Sequence, residues 1–263
     1  MIDPDRTSEP EPYLPGWRIL RFASLGSTND EARARALSGD PGDLWIVADE
    51  QTQGRGRHGR NWRSPRGNLY ASALLVDPCQ AAIAPQLGFV AGVALASAAR
   101  DLGAADIAIK WPNDLLWKGA KVSGLLAEGV AIPGRGFICI VGFGVNCASS
   151  PEGLAYPVAD LAQAIGRPVS PADVLARLAA RFDEMIRLWD RGARFADIRT
   201  RWLAVAAGLG GPVRVASARE TREGLFEGLD ASGRLLLRTA SGLEAVEAAD
   251  LFLTPPDGSP NRR

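Results

Sequence analysis

Two apolar runs, residues 44–48 (LWIVA) and 69–76 (LYASALLV), bracket a polar loop that contains Gly54-Arg55-Gly56-Arg57-His58-Gly59-Arg60-Asn61-Trp62. Both runs read as strands, the first of them a buried one. The loop is therefore displayed by a folded domain and does not hang in a tail. Glycine lets backbone approach a ligand closely and present its N–H groups. Arginine supplies a forked donor matched to carboxylate and phosphate, and Trp62 offers a flat face on which a base can stack. By itself such a loop reads equally well as a solvated basic segment or a nucleic-acid arm. The rest of the chain speaks against that: Lys+Arg is 30 and Asp+Glu is 30, so no overall field attracts DNA or an acidic membrane.

Around this loop the pattern is α+β. A strand is expected over residues 18–25, and a helix starts at Ser27-Thr28-Asn29-Asp30-Glu31, small polar caps followed by acids in the first turn. Residues 85–102 read as an Ala-rich helix, and 107–111, 121–130 and 137–145 as short strands. Ser170-Pro171 opens a further helix, with Val174, Leu178, Phe182, Ile186 and Trp189 on one face. Another helix is expected over 195–207. After Gly208-Leu209-Gly210-Gly211-Pro212 only short β segments remain, at 213–216, 224–229, 235–239 and 243–246. They make a small barrel-like domain that has to lean on its neighbour. The domains are placed at 17–209 and 210–256, with disordered segments at 1–16 and 257–263.

Three further segments carry chemistry. In Lys110-Trp111-Pro112-Asn113-Asp114 a strand ends at Trp111, which sets Asn113 and Asp114 at its carboxyl end, a usual place for sites in α/β sheets. Lys121 opens the next strand, in Lys121-Val122-Ser123-Gly124, and hairpin pairing brings it near Asp114. In Val141-Gly142-Phe143-Gly144-Val145-Asn146 two glycines in a buried strand signal a close neighbour, and Asn146 has a donor and an acceptor for a base or amide edge. Ser27-Thr28-Asn29 reads both as a helix cap and as a binder of polar ligand groups.

The three cysteines, Cys79, Cys139 and Cys147, form no CxxC, and His58 is the single histidine, so no zinc site is expected. Unpaired thiols in a chain of this size suit a reducing cytoplasm. The first residues, MIDPDRTSEPEPYLPGW, contain no apolar core of a signal peptide, and no apolar run reaches membrane-spanning length.

Taken in order, Ser27-Thr28-Asn29, GRGRHGRNW, KWPND, Lys121-x-x-Gly124 and Gly142-x-Gly144-x-Asn146 resemble the biotin–protein ligase family over residues 18–255. The resemblance implies a class II synthetase-like mixed sheet flanked by helices, with an SH3-like C-terminal barrel. It implies activation of biotin with ATP and Mg²⁺, then transfer to a lysine of the biotin carboxyl-carrier domain of a carboxylase. Ser27, Thr28 and Gln51 would hold the ureido ring, and Asn29 would also belong to the biotin-binding set. Gly54, Arg55 and Arg57 would cradle the carboxylate, with Lys121 and Gly124 beside it. Arg57, Arg60, Trp62, Asn113, Lys121 and Asn146 would hold the nucleotide. Catalysis would fall to Lys121, Arg57 and Asp114, the last as a Mg²⁺ ligand or as a base for the incoming amine. Ser27 lies too near the start to leave room for the DNA-binding domain of some members, so neither a repressor role nor a nucleic-acid partner is expected. The strand after Lys121 offers an edge for a homodimer or for the acceptor. The rival readings are a lipoate or octanoate ligase, a nucleic-acid-binding protein and a non-catalytic biotin sensor. Polar Ser27, Thr28 and Gln51 speak against the first, because a fatty-acyl pocket would leave them buried and unpaired.

Overall fold

The computed structural model describes residues 16–217, 220–247 and 249–253. The expected disordered segments, 1–16 and 257–263, lie outside these residues except for Gly16, which sits in a turn. Seven strands form the larger sheet: β1 (Arg18–Phe22), β2 (Leu44–Ala48), β3 (Leu69–Val76), β4 (Ile107–Lys110), β5 (Asp114–Trp117), β6 (Ala120–Ile132) and β7 (Gly136–Val145). Their order is β1-β2-β3-β7-β6-β5-β4. Only β1 and β2 pair in parallel; the other pairs are antiparallel.

β2 is buried along its whole length because both faces of the sheet are covered. Trp45 and Val47 point into the larger core, with Ala71, Ala73, Cys139, Val141 and Phe143 from the neighbouring strands. That core is closed by helices α2 (Gln86–Asp101), α4 (Pro171–Trp189) and α5 (Phe195–Leu203). Leu44 and Ile46 point the other way and join Leu74, Ile138 and Ile140 under helix α1 (Thr28–Leu37). The two-residue period of a strand thus sorts one sequence into two cores. On the α1 face, beyond the apolar cluster, the strands carry Ser72, Gly142 and Gly144. The apolar pattern stops there and leaves room for a site.

The C-terminal strands are β8 (Pro212–Ala216), β9 (Thr221–Leu229), β10 (Leu235–Thr239), β11 (Gly242–Val246) and β12 (Asp250–Leu253). They form an antiparallel sheet in the order β11-β10-β9-β8-β12. It leans on the helical layer: buried Phe226 meets Trp202 edge-on at 6.4 Å. Gly233 abuts Phe89 so closely that a Cβ there would lie 2.7 Å from the ring.

Four elements differ from the sequence reading. Asp114 opens β5 instead of trailing β4, because residues Trp111 to Asn113 turn the chain back. The short helix α3 (Leu161–Ile165) is capped by Asp160, whose side chain accepts from Gln163 N. β12 was not anticipated, although it completes the smaller sheet by pairing with β8. The 195–207 helix stops at Leu203, and the next residues pair with β4 through Ile109 N to Val205 O at 2.8 Å.

Candidate active site

The sequence motifs converge on one cavity of about 690 Å³. Ser27, Thr28, Asn29 and Gln51 line it, as do Arg55, Arg57, Arg60 and Trp62 of the loop. Asn113, Asp114, Lys121 and Gly124 complete the expected set, while Gly54 and Asn146 do not line it. A Cβ on Gly54 would lie 2.5 Å from Trp62 O, so this glycine closes the base of the loop. Asn146 is buried, gives its amide to Ala159 O at 3.0 Å, and lines an adjoining cavity of about 240 Å³ with Trp62 and Tyr156.

At one end of the cavity the groups are polar and buried. Ser27 occupies the cap position of α1, yet its hydroxyl makes no capping bond and so does not serve as the cap the sequence suggested. Gln51 Oε1 accepts from Thr28 N at 2.8 Å, and Gln51 Nε2 donates to Ser64 Oγ at 3.0 Å. Asn29 is bonded within the protein. Its amide donates to Glu128 Oε2 at 2.7 Å and faces Leu126 O at 3.4 Å. Its carbonyl accepts from Ser72 at 2.6 Å. Both amide protons of Asn29 are thus engaged inside the protein, and its carbonyl keeps one lone pair beside the cavity.

At the other end lie the charges. Asp114 is buried on the floor, with Lys121 Nζ 2.7 Å from Oδ1 and Lys110 Nζ 3.0 Å from Oδ2. Burial works to raise the Asp114 pKa, but the ammonium groups of Lys121 and Lys110 outweigh it, and the carboxyl is held below its usual range. This geometry weighs against both expectations for Asp114. Both its oxygens are taken by ammonium groups, so the donor set does not fit a protein-held Mg²⁺. Among the described residues no group of three or more His, Cys, Asp or Glu could hold a metal ion. A carboxylate stabilised as an anion is also a poor base for an amine.

The loop arginines divide their work. Arg55 is turned onto Asp30, with Nη2 2.6 Å from Oδ1 and a second bond from Nη1, and lies 3.4 Å from Glu128. Its fork is thus held by α1 and β6 at the edge of the cavity. Arg57 is partly buried and points at Asn113 Oδ1 and Ala249 O, at 3.4 and 3.3 Å. Asp250 Oδ1 lies 3.8 Å away, and Arg60 ion-pairs with the other oxygen. The cationic end thus contains two acids, Asp114 and Asp250, each holding two cations. The ring of Trp62 lies on Gly124 and Gly144, where a Cβ would come within 3.2 and 2.6 Å of it. Lys121 Nζ sits 5.3 Å from the Trp62 ring centre and 5.7 Å from that of Tyr156.

Sequence reasoning missed Ser72, Glu128, Tyr156 and Asp250, and gave Lys110 no role of its own. Lys110 stands inside the KWPND motif, which is the signal that marks it. Asp250 belongs to a strand that left no readable pattern.

Residues 22–146 match the Biotin/lipoate A/B protein ligase family, and residues 208–253 match the Biotin protein ligase C terminal domain. The chain is 41% identical to the biotin–[acetyl-CoA-carboxylase] ligase of Paracoccus denitrificans, over 88% of this chain and 98% of that one. It is 32% identical to the bifunctional ligase/repressor BirA of Bacillus subtilis, over 90% of this chain and 74% of that protein. Among solved structures, biotin protein ligase from Aquifex aeolicus in complex with biotin and ATP superposes with a TM-score of 0.78. That match has 26% identity and covers 89% of this chain and 97% of the other.

Proposed function

The chain belongs to the biotin/lipoate A/B protein ligase family, and from that premise we propose that it is a biotin–protein ligase. It joins biotin to AMP with release of pyrophosphate, then passes biotin to a lysine of the biotin carboxyl-carrier domain of a carboxylase, acetyl-CoA carboxylase being the one named for its relative. The observation that carries this reading is one cavity with buried hydroxyl and amide groups at one end and Arg57, Lys110 and Lys121 at the other.

The chemistry explains the layout. A carboxylate oxygen must attack the α-phosphorus of ATP: a C–O–P bond forms, the bond to the β-phosphate oxygen breaks, and pyrophosphate leaves. Two anions have to meet, so preorganised cations supply most of what the protein can offer. Lys121 reaches the junction of carboxylate and α-phosphate, held in place by Asp114. Arg57, steered by Asn113, stands opposite, with Gly54 and Gly56 allowing the loop backbone to close in. Arg60 serves the outer phosphates. Trp62 covers the base, and Asn146 stiffens the neighbouring cavity that receives it. Ser27, Thr28 and Gln51 hold the ureido ring. Arg55 ties the loop down through Asp30 and Glu128, and Asn29 supports Thr28 from behind. In the second step the acceptor amine attacks the mixed anhydride and AMP leaves; the loop excludes water from that intermediate. No step is routed through a metal held by Asp114; Mg²⁺ enters this reading as the counter-ion of ATP.

Other features support the partner reading. β6 runs beyond β5, so its edge from Leu126 to Ile132 has no strand neighbour on that side among the described residues, which suits a second chain, whether acceptor or homodimer partner. The zero net charge suits a protein without a nucleic-acid partner. Buried unpaired Cys79, Cys139 and Cys147 suit the cytoplasm. No helix among the described residues is long and apolar enough to cross a membrane. The test is pyrophosphate release from MgATP with biotin or lipoate added. Release with biotin alone is expected; release only with lipoate overturns the substrate assignment.

A further inference from the structure

Behind the polar end of the cavity lies a chain of hydrogen bonds whose direction is fixed from its far end. Glu128 lies on β6 with Arg55 at 3.4 Å and Arg33 at 3.9 Å, so its carboxylate accepts and does not donate. Asn29 must then turn its N–H₂ toward Glu128, at 2.7 Å, and its carbonyl toward Ser72. Ser72 is fully buried on β3, and its Oγ lies 2.6 Å from Asn29 Oδ1. An amide oxygen has no proton, so Ser72 donates this bond. The remaining neighbour of Ser72 Oγ is Thr28 Oγ1 at 2.7 Å. With the serine proton spent, Thr28 must donate across that contact, in preference to the longer 3.1 Å approach to Gln51 Oε1. Gln51 Oε1 already accepts from Thr28 N at 2.8 Å, so it is Ser72 that keeps the single threonine proton inside the protein. The hydroxyl offers the cavity only lone pairs. Gly142 guards the geometry from below, since a Cβ there would lie 2.4 Å from Asn29 Oδ1.

We infer that Ser72 is a positioning residue that, relaying from Glu128 through Asn29, fixes Thr28 as a hydrogen-bond acceptor and so selects a ligand head group that presents an N–H. The inference rests on the proposed biotin substrate, whose ureido ring carries such groups, and it assigns part of the choice of ring to Ser72 and Glu128, which do not line the cavity. Ser72 orients Thr28; Asn29 and Glu128 orient Ser72.

Binding of biotin, and of biotin methylated on its ureido nitrogens, to the full chain is measured by calorimetry, for the parent, Ser72→Ala and Glu128→Gln. The parent is expected to prefer biotin strongly. In Ser72→Ala the affinity for biotin falls about tenfold, as for a lost polar partner in a dry site, and the preference over the methylated analogue narrows by a similar factor. Glu128→Gln frees the direction of the chain without emptying any buried volume and narrows the same preference. A purely structural role would weaken both ligands together and leave the ratio unmoved. Should Ser72→Ala fail to fold, Glu128→Gln decides. An unchanged ratio in Glu128→Gln, with the parent still binding biotin, overturns the relay alone; a parent that binds no biotin refutes the function beneath it.

Discussion

Arg57 and Asp250 meet where the C-terminal sheet closes over the active-site loop, with Nη1 of one 3.8 Å from Oδ1 of the other. Burial pulls the Arg57 pKa down, and Asp250 and Asp114 work against that loss. Asp250 also holds Arg60, whose pKa its hydrogen bond raises. One side chain of β12 thus aims both loop cations. Asp250→Ala is expected to slow biotin-dependent pyrophosphate release by up to about a hundredfold, the scale on which misplaced catalytic groups cost rate, and to expose residues 54–62 to protease. Unchanged release would deny the C-terminal sheet this role.

Lys121→Ala is expected to lose adenylate formation by about a hundredfold or more, as when a preorganised charge is removed from a closed site. Lys121→Arg recovers little, because a planar fork cannot take the place of a compact ammonium between Asp114, Trp62 and Tyr156. Single-turnover formation of biotinyl-AMP measures both; near-parent rates for the alanine variant would remove Lys121 from the chemistry.

Asp114 predicts a pH profile. Its folded pKa lies below the usual 3.8. Its contribution to stability is therefore complete above that value and is lost as pH falls through the depressed folded pKa. Acid unfolding of the parent should show this loss below about pH 4, and Asp114→Asn should lose less over the same window. The rate of biotin transfer from preformed biotinyl-AMP to the acceptor lysine should show no acid limb from Asp114 between about pH 5 and 8. A limb near neutral pH that disappears in Asp114→Asn would restore the general-base reading.

Gly144→Ala sets a methyl group where the Trp62 indole now lies, 2.6 Å from its nearest atoms. The ring must move, and the variant is expected to raise the KM for ATP several-fold with a stability cost of about 1–3 kcal/mol. Trp62 fluorescence and steady-state kinetics report the two effects; an unaltered KM would separate Trp62 from the nucleotide.

The sequence announced the parts of the site that depend on residue type within a short window. Gly54 to Trp62 lie on a loop between β2 and β3, and Lys121 and Asp114 meet through a hairpin as their spacing suggested. The sequence did not disclose which charges neutralise which. Arg55 looks like a ligand group until Asp30 and Glu128 are seen to hold it, and those contacts cross from α1 and β6 to the loop. Ser72 was equally silent, a small polar residue in an apolar strand whose importance depends on Thr28 and Asn29 lying above it. Asp250 sits in a four-residue strand too short to carry a period. Local chemistry is written locally; partnership between distant charges is a product of the fold.

The most direct test of the account is to incubate the full chain with MgATP, a biotin carboxyl-carrier domain and either biotin or lipoate, and to weigh the acceptor by mass spectrometry. A gain equal to one biotinyl group is expected, with biotin only. A gain with lipoate alone, or none with either despite an intact acceptor lysine, would contradict it.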